Sequence, residues 1–232
     1  MSLPERIAGA RHLLADAERQ HARTVFASSF GAEDMVILDL IARDGLAIAV
    51  FMLDTGRLPA QTLDLVARVR KAYAIDIAVF RPWPGTVDAH VDEYGQDGFY
   101  HGVEARKACC AVRKVEPLRR ALAGHRAWIT GLRRDQSDTR SEIEAVTYDA
   151  VHRLWKYSPL ADWTGDDVWQ YIRENAVPYN ALHDRGYPSI GCEPCTRAVK
   201  PGEHPRAGRW WWENAAARKE CGLHEIPVKV IA

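Results

Sequence analysis

The alternation of short apolar runs with amphipathic helical patterns constrains this chain more than any other feature. TVFASSF reads as a strand and passes through Gly31 into EDMVILDLIARDG, a helical pattern with an acidic first turn and a glycine at its end. LAIAVFMLD is a second, buried-strand run, TGRLP a turn, QTLDLVARVRKAYA a helix and IDIAVF a third strand. Strands that alternate with helices need crossover connections, which are right-handed almost without exception. The expectation is an α/β fold: a Rossmann-like parallel sheet flanked by helices. Residues 5–18 carry Ile7, Leu13 and Leu14 at rough helical spacing and form an amphipathic first helix. Further on, VEARKACCAVRKVEPLRRALAG has helical spacing, HRAWITGL is a strand, and TGDDVWQYIRENA is a helix capped by its threonine. The stretch from Arg81 to Gly102 mixes Pro, Gly and aromatics without a sustained period, so an irregular excursion is expected there. YDAVHRLWKYSPL receives no element, and beyond Val177 turn residues dominate.

A chain of 232 residues that is 47% hydrophobic can bury one sizeable core. One domain over residues 1–232 is expected, with an α/β core over about 1–200 and a mobile, irregular C-terminal segment over about 201–232. Lys+Arg and Asp+Glu are both 31, which argues against nucleic acid or a membrane surface as partner and leaves any positive charge local. The longest apolar run, Leu46 to Leu53, is far too short to span a bilayer, and the N-terminus has no signal-peptide pattern. A cytoplasmic protein is expected. Its cysteines are Cys109, Cys110, Cys192, Cys195 and Cys221, an odd number with one adjacent pair and one C-x-x-C. That pattern reads as metal or redox chemistry rather than disulfide stapling.

Five constellations carry candidate chemistry. Ser28-Ser29-Phe30-Gly31-Ala32-Glu33-Asp34 joins a strand to a helix through small residues; it is either a phosphate cradle at a helix N-terminus or a tight turn. Asp54-Thr55-Gly56-Arg57 follows the second strand on the same sheet edge, where open α/β sheets bind ligands. Arg133, Arg134 and Arg140 follow a later strand and concentrate guanidinium groups suited to phosphate or sulfate, although any one of them alone is a solvated loop residue. Cys109-Cys110 with Cys192-x-x-Cys195 suits zinc or an iron–sulfur cluster. Adjacent cysteines on a helix diverge by about 100°, which a compact tetrahedral ion accommodates less readily than a cluster. Arg206 and Arg209 precede a Trp210-Trp211-Trp212 run that either closes over a nucleotide or packs a lobe, and Cys221 is either incidental or a nucleophile.

Together these motifs resemble the iron–sulfur type of assimilatory adenylyl-sulfate (APS) reductases, relatives of the PAPS reductases in the adenine-nucleotide α-hydrolase-like superfamily with its modified PP-loop. SSFGAEDM, LDTGRLP, KACCAVRKVEPL, ITGLRRDQS, GCEPCTRAV, RAGRWWWE and KECGLH occur in that order over nearly the whole chain. The resemblance implies a [4Fe–4S] cluster on Cys109, Cys110, Cys192 and Cys195, and Cys221 as the nucleophile. It puts Ser28, Ser29 and Gly31 in the adenosine-phosphate loop and Leu53, Thr55, Gly56 and Arg57 near the nucleotide. Lys114, Arg133, Arg206 and Arg209 then surround the phosphosulfate. It further implies APS as substrate, with PAPS or both nucleotides as the alternative, a separate thioredoxin or glutaredoxin as reductant, and a homo-oligomer. The reaction implied is displacement of AMP by the Cys221 thiolate to give an S-sulfonate, from which the partner dithiol releases sulfite. A sulfurtransferase of the PP-loop type would need an S-G-G-x-D-S loop and a basic surface, and this chain has neither. A zinc-stabilised nucleotide-binding module stays open.

Overall fold

The computed structural model describes residues 1–213 and Gly222–Leu223 of the chain. A six-stranded sheet in the order β3-β2-β1-β4-β6-β5 forms its centre. The strands are β1 (Thr24–Ala27), β2 (Ala49–Leu53), β3 (Ile77–Phe80), β4 (Ala127–Ile129), β5 (Val146–Asp149) and β6 (Leu154–Tyr157). Five run parallel, and β5, at the edge, alone pairs antiparallel, its partner being β6. The chain builds β1, β2 and β3 in one direction and then returns to the other side of β1 to lay down β4. The crevice between the carboxyl ends of β1 and β4 is therefore a topological switch point, the ligand position of such sheets.

Alternate residues of each central strand feed two cores. Phe26, Val50, Met52, Ala127 and Ile129 face the larger one, beneath α1 (Leu3–Gln20), α2 (Ala32–Arg43), α3 (Ala60–Tyr73) and α7 (Gly165–Glu174). Val25, Phe51 and Trp128 face the smaller one, covered by Leu118, Ala121 and Leu122 of α6 (Glu116–Leu122). Burial on both faces is why the strands read as continuous apolar runs rather than as alternation. The expected cap on α7 is present: Thr164 Oγ1 accepts from the Asp167 amide at 3.2 Å, and Asp167 accepts in return from the Thr164 amide at 2.8 Å.

Three expectations need correction. The stretch Arg81–Gly102 is not irregular throughout, since α4 (Pro84–Tyr94) occupies half of it, with Pro84 in its first turn. Its inward stripe is Val87, His90, Val91 and Tyr94, and the only fully buried member is a histidine, so an apolar periodicity does not register. The unassigned YDAVHRLWKYSPL contributes the second half of β5 and all of β6, which pair as a hairpin. Its pattern is masked by Lys156, which lies 8% exposed with its ammonium 5.0 Å from the Trp128 ring centroid. The helix carrying the first cysteine pair is also not uniform. α5 (Val103–Cys110) passes into a π-helical turn, Ala111–Val115, before α6. Among the described residues no helix is long and apolar enough to cross a membrane.

Candidate active site

The carboxyl ends of β1, β2 and β4 open into a cavity of about 390 Å³, within the range of small-molecule sites. Its floor is the turn from β1 to α2. Ser28 continues the ladder by donating its amide to Phe51 O at 2.9 Å. Phe30 then takes a left-handed conformation (φ 60°) with its ring 1% exposed in the core. A non-glycine residue held there costs about 1–3 kcal/mol, and such strain collects at ligand sites. The strain is held by Asp34, which accepts from both the amide and the hydroxyl of Ser29 at 2.6 Å. Gly31 caps α2, so the free amides of a 12-residue helix face the cavity.

Asp34 is buried, and that burial raises its pKa to about 7, aided by the neighbouring charge of Glu33 and opposed by the bonds from Ser29. Burial would likewise raise Glu33, but Arg133 and Gln136 outweigh it and hold that carboxyl below its usual range. Arg133 Nε and Nη2 reach Glu33 Oε1 at 3.0 and 2.9 Å, and Gln136 Nε2 reaches the same oxygen at 3.0 Å. The cavity wall carries Lys114, Arg133, Arg140, Arg206 and Arg209 against the carboxylates of Glu33, Asp34 and Asp135. A chain with no net charge thus concentrates a local excess of cations over this site.

A second, small pocket of about 20 Å³ lies between Cys109, Cys110, Cys192 and Cys195, with Arg57, Phe99, Arg106, Arg113, Lys114, Pro194 and Trp210 around it. Lys114 borders both spaces. The π turn after Cys110 carries it, and such turns recur at functional sites. Burial works against the Cys192 thiolate, but Lys114, a 3.3 Å contact with the Thr55 hydroxyl, Arg209 and Arg113 together lower its pKa. Burial and the neighbouring Cys192 push Cys195 up to about 12, and burial raises Cys109 as well. A cage of four thiols with cations in its walls fits a group that the thiolates bind as anions. No group of three or more His, Cys, Asp or Glu side chains among the described residues converges on a single metal ion.

The sequence-derived candidates separate into those two spaces. Ser28, Ser29, Gly31, Leu53, Thr55, Lys114, Arg133, Arg206 and Arg209 line the large cavity. Arg57 turns the other way: it donates to Gln96 O at 2.6 Å and Asp97 Oδ1 at 2.7 Å and lies 5.1 Å from the Phe99 ring centroid, beside the cysteines. Gly56 is at φ 71°, with the Arg113 guanidinium beneath it. Arg134 pairs with Asp162 rather than lining the cavity. Cys221 lies outside the described residues; Leu223, two positions later in sequence, lines the cavity and packs against the smaller core. Sequence reasoning placed Asp34 only as the last member of the candidate cradle and gave no individual role to it, Gly131 or Gln136. The signal for Asp34 was an acid in the first turn of α2, where helix polarity alone accounts for it.

Fold and site together define an α/β protein with a PP-loop type of sheet, whose cation-rich cavity at the switch point adjoins a pocket lined by four cysteines. Residues 23–198 match the phosphoadenosine phosphosulfate reductase domain model, and the chain belongs to that family, whose members are oxidoreductases. It is 55% identical over 223 residues (96% of this chain, 87% of the relative) to an adenosine 5′-phosphosulfate reductase of Allochromatium vinosum. It is 54% identical over 212 residues (91% and 84%) to one of Burkholderia cepacia. Among solved structures it resembles a phosphoadenylyl-sulfate reductase from Candida auris in a phosphate complex, with TM-score 0.70, 28% identity and coverage of 82% and 90%. Yeast FAD synthetase shares the fold at TM-score 0.57 and 15% identity, covering 84% and 67%.

Proposed function

We propose that this chain reduces adenosine 5′-phosphosulfate to sulfite and AMP. The carrying observation is that Lys114 lines both the large cation-rich cavity and the pocket between the four cysteines, so one residue joins the two spaces. The names of the two relatives given above support the same substrate. The amides of α2 and the Ser28–Ser29 turn bind the nucleotide phosphate, and Leu53 and Thr55 flank the nucleoside. Arg206, Arg209 and Lys114 neutralise charge that builds on the leaving phosphate and the sulfonate oxygens.

Cys109, Cys110, Cys192 and Cys195 would hold a [4Fe–4S] cluster, whose fixed charge, when bound, tunes the anion site. The chain's own nucleophile is Cys221. Its thiolate attacks sulfur, the S–O bond to the phosphate breaks, and AMP leaves with the electron pair. A partner dithiol, thioredoxin or glutaredoxin, then attacks the Cys221 sulfur and expels sulfite. Closure of the partner's disulfide returns the Cys221 thiolate and accounts for the two electrons gained by sulfur.

Iron and acid-labile sulfide analysis of anaerobically purified protein, with sulfite release measured from APS and from PAPS, tests this. Iron with sulfide and faster turnover of APS are expected. Zinc without sulfide, or no sulfite from either nucleotide, would sink the reading in favour of a zinc-stabilised binding module.

A further inference from the structure

Arg106 and Glu213 form an ion pair almost without access to water, their side chains being 0% and 2% exposed. Arg106 Nε donates to Glu213 Oε1 in a short contact, and Nη2 donates to Oε2 at 3.2 Å. Desolvating two ions largely offsets their attraction, so a buried pair is weak evidence for stability and its meaning lies in what it holds in place. Arg106 sits on α5 one turn before Cys109 and Cys110. Its guanidinium lies 4.4 Å from the Trp210 ring centroid, and the Arg209 guanidinium lies 4.8 Å from the same centroid. The Trp210 amide donates to Cys195 O at 3.1 Å, and the Glu213 amide to Trp210 O at 2.9 Å. The turn Arg209–Glu213 is therefore tied at one end to the C-x-x-C loop and at the other to the helix of the adjacent cysteines. Neither Arg106 nor Glu213 lines the large cavity.

We propose that Arg106–Glu213 is a positioning clamp that holds both cysteine pairs, Trp210 and the anion-binding Arg209 in one register. The inference rests on the reductase reading given above. A carboxylate and a planar guanidinium paired through two bonds fix orientation as well as distance, which an apolar contact of equal volume does not. The pair is neutral as a whole. It supplies geometry to the cage rather than charge.

The test compares wild type with R106M, E213L, the double variant R106M/E213L, and R106K, all purified anaerobically. Thermal stability, the rate of iron release to a chelator, AMP affinity, and S-sulfonate formation on Cys221 from APS without reductant are measured. Each single variant removes one partner of a buried ion pair and should melt lower, whereas the double variant should recover most of that loss. The clamp requires that the recovered double variant still release iron at least 5-fold faster, form S-sulfonate at least 10-fold more slowly, and bind AMP at least 3-fold more weakly through the displaced Arg209. Recovery of iron retention and S-sulfonate rate along with stability would reduce the pair to packing and overturn the clamp. If the single variants fail to fold, R106K and the double variant decide; wild-type values for R106K in all four measurements overturn it as well. A wild-type protein that binds iron but forms no S-sulfonate counts against the reductase reading alone, and iron release then judges the clamp. A wild-type protein without iron removes the cage the clamp holds and overturns it.

Discussion

Asp34 and Gly131 are in such close approach that a Cβ on residue 131 would stand 2.1 Å from Asp34 Oδ1. One residue opens α2 and the other follows β4, so this contact closes the switch-point crevice from both of its walls. Gly131→Ala should push the carboxylate off Ser29 and release the strained turn at Phe30. We expect AMP affinity to fall by about 10-fold and stability by about 1–3 kcal/mol, as for an overpacked core. Calorimetric titration and thermal melting check this; wild-type affinity in a folded Gly131→Ala protein would show that the turn does not depend on the contact.

The same carboxyl makes the site sensitive to pH. Asp34 is raised from its ordinary 3.8 to about 7 by burial, so the folded protein holds its proton where the unfolded chain has lost it. Its contribution to stability is fully present below about pH 4 and is lost as the pH climbs through about 7. Asp34→Asn, which keeps an acceptor for Ser29 but does not titrate, should therefore gain stability relative to wild type as pH rises from 5 to 8.5. Wild-type AMP affinity should weaken across pH 6–8 as a negative charge appears beside the phosphate, with a flatter profile in the variant. A stability difference independent of pH would mean that Asp34 is ionised throughout.

Arg206 and Arg209 look interchangeable in sequence and are not so in the fold. Arg209 is 7% exposed, donates to Ile190 O at 3.0 Å, and passes so close to Gly191 that a Cβ there would lie 2.3 Å from its Nη2. Arg206 is half-buried at the cavity rim. Arg209→Ala should cost about 2 kcal/mol through the lost charged hydrogen bond and stacking, lowering Tm by about 4–8 °C, in addition to weakening AMP. Arg206→Ala should weaken AMP with Tm within about 2 °C of wild type. Equal Tm values for the two variants would contradict this division of labour.

What the sequence made legible here is local, and what it hid is not. Ser28–Gly31 stands out because strand, small-residue turn and helix are contiguous, and the cysteine pairs stand out by spacing alone. The Glu33–Arg133 pair and the Asp34–Gly131 contact join loops that become neighbours only because β4 returns beside β1, a consequence of strand order that no window of residues contains. Arg57 illustrates the converse. Its motif follows a sheet edge that binds ligands, yet Asp97 and the Phe99 ring, distant in sequence, draw its side chain to the cysteines. α4 was hidden for a composition reason, since a helix whose one fully buried residue is His90 offers little hydrophobic period to read.

Cys221→Ser carries the most direct test of the proposed chemistry. A serine hydroxyl has no comparable anionic fraction near neutral pH, whereas a thiol in a cation-rich site does. Position 221 is not one of the four cysteines around the small pocket, so the variant should fold, keep iron and sulfide, and bind APS as wild type does. It should nevertheless form no S-sulfonate and release sulfite more than 1,000-fold more slowly, on the order expected when a nucleophile acting with its supporting groups is removed. Cys192→Ser should behave in the opposite way. Cys192 is 7% exposed with its Sγ 3.3 Å from the Thr55 hydroxyl, and on the proposed ligation its loss should cost iron, sulfide and solubility together. Mass spectrometry after mixing each protein with APS and no reductant distinguishes the roles, because a single sulfonate should appear on the peptide containing Cys221 in wild type only. An adduct on any cysteine of the cage, or parental sulfite release from Cys221→Ser, would move the nucleophile elsewhere and leave Leu223 in the cavity wall as a packing contact only.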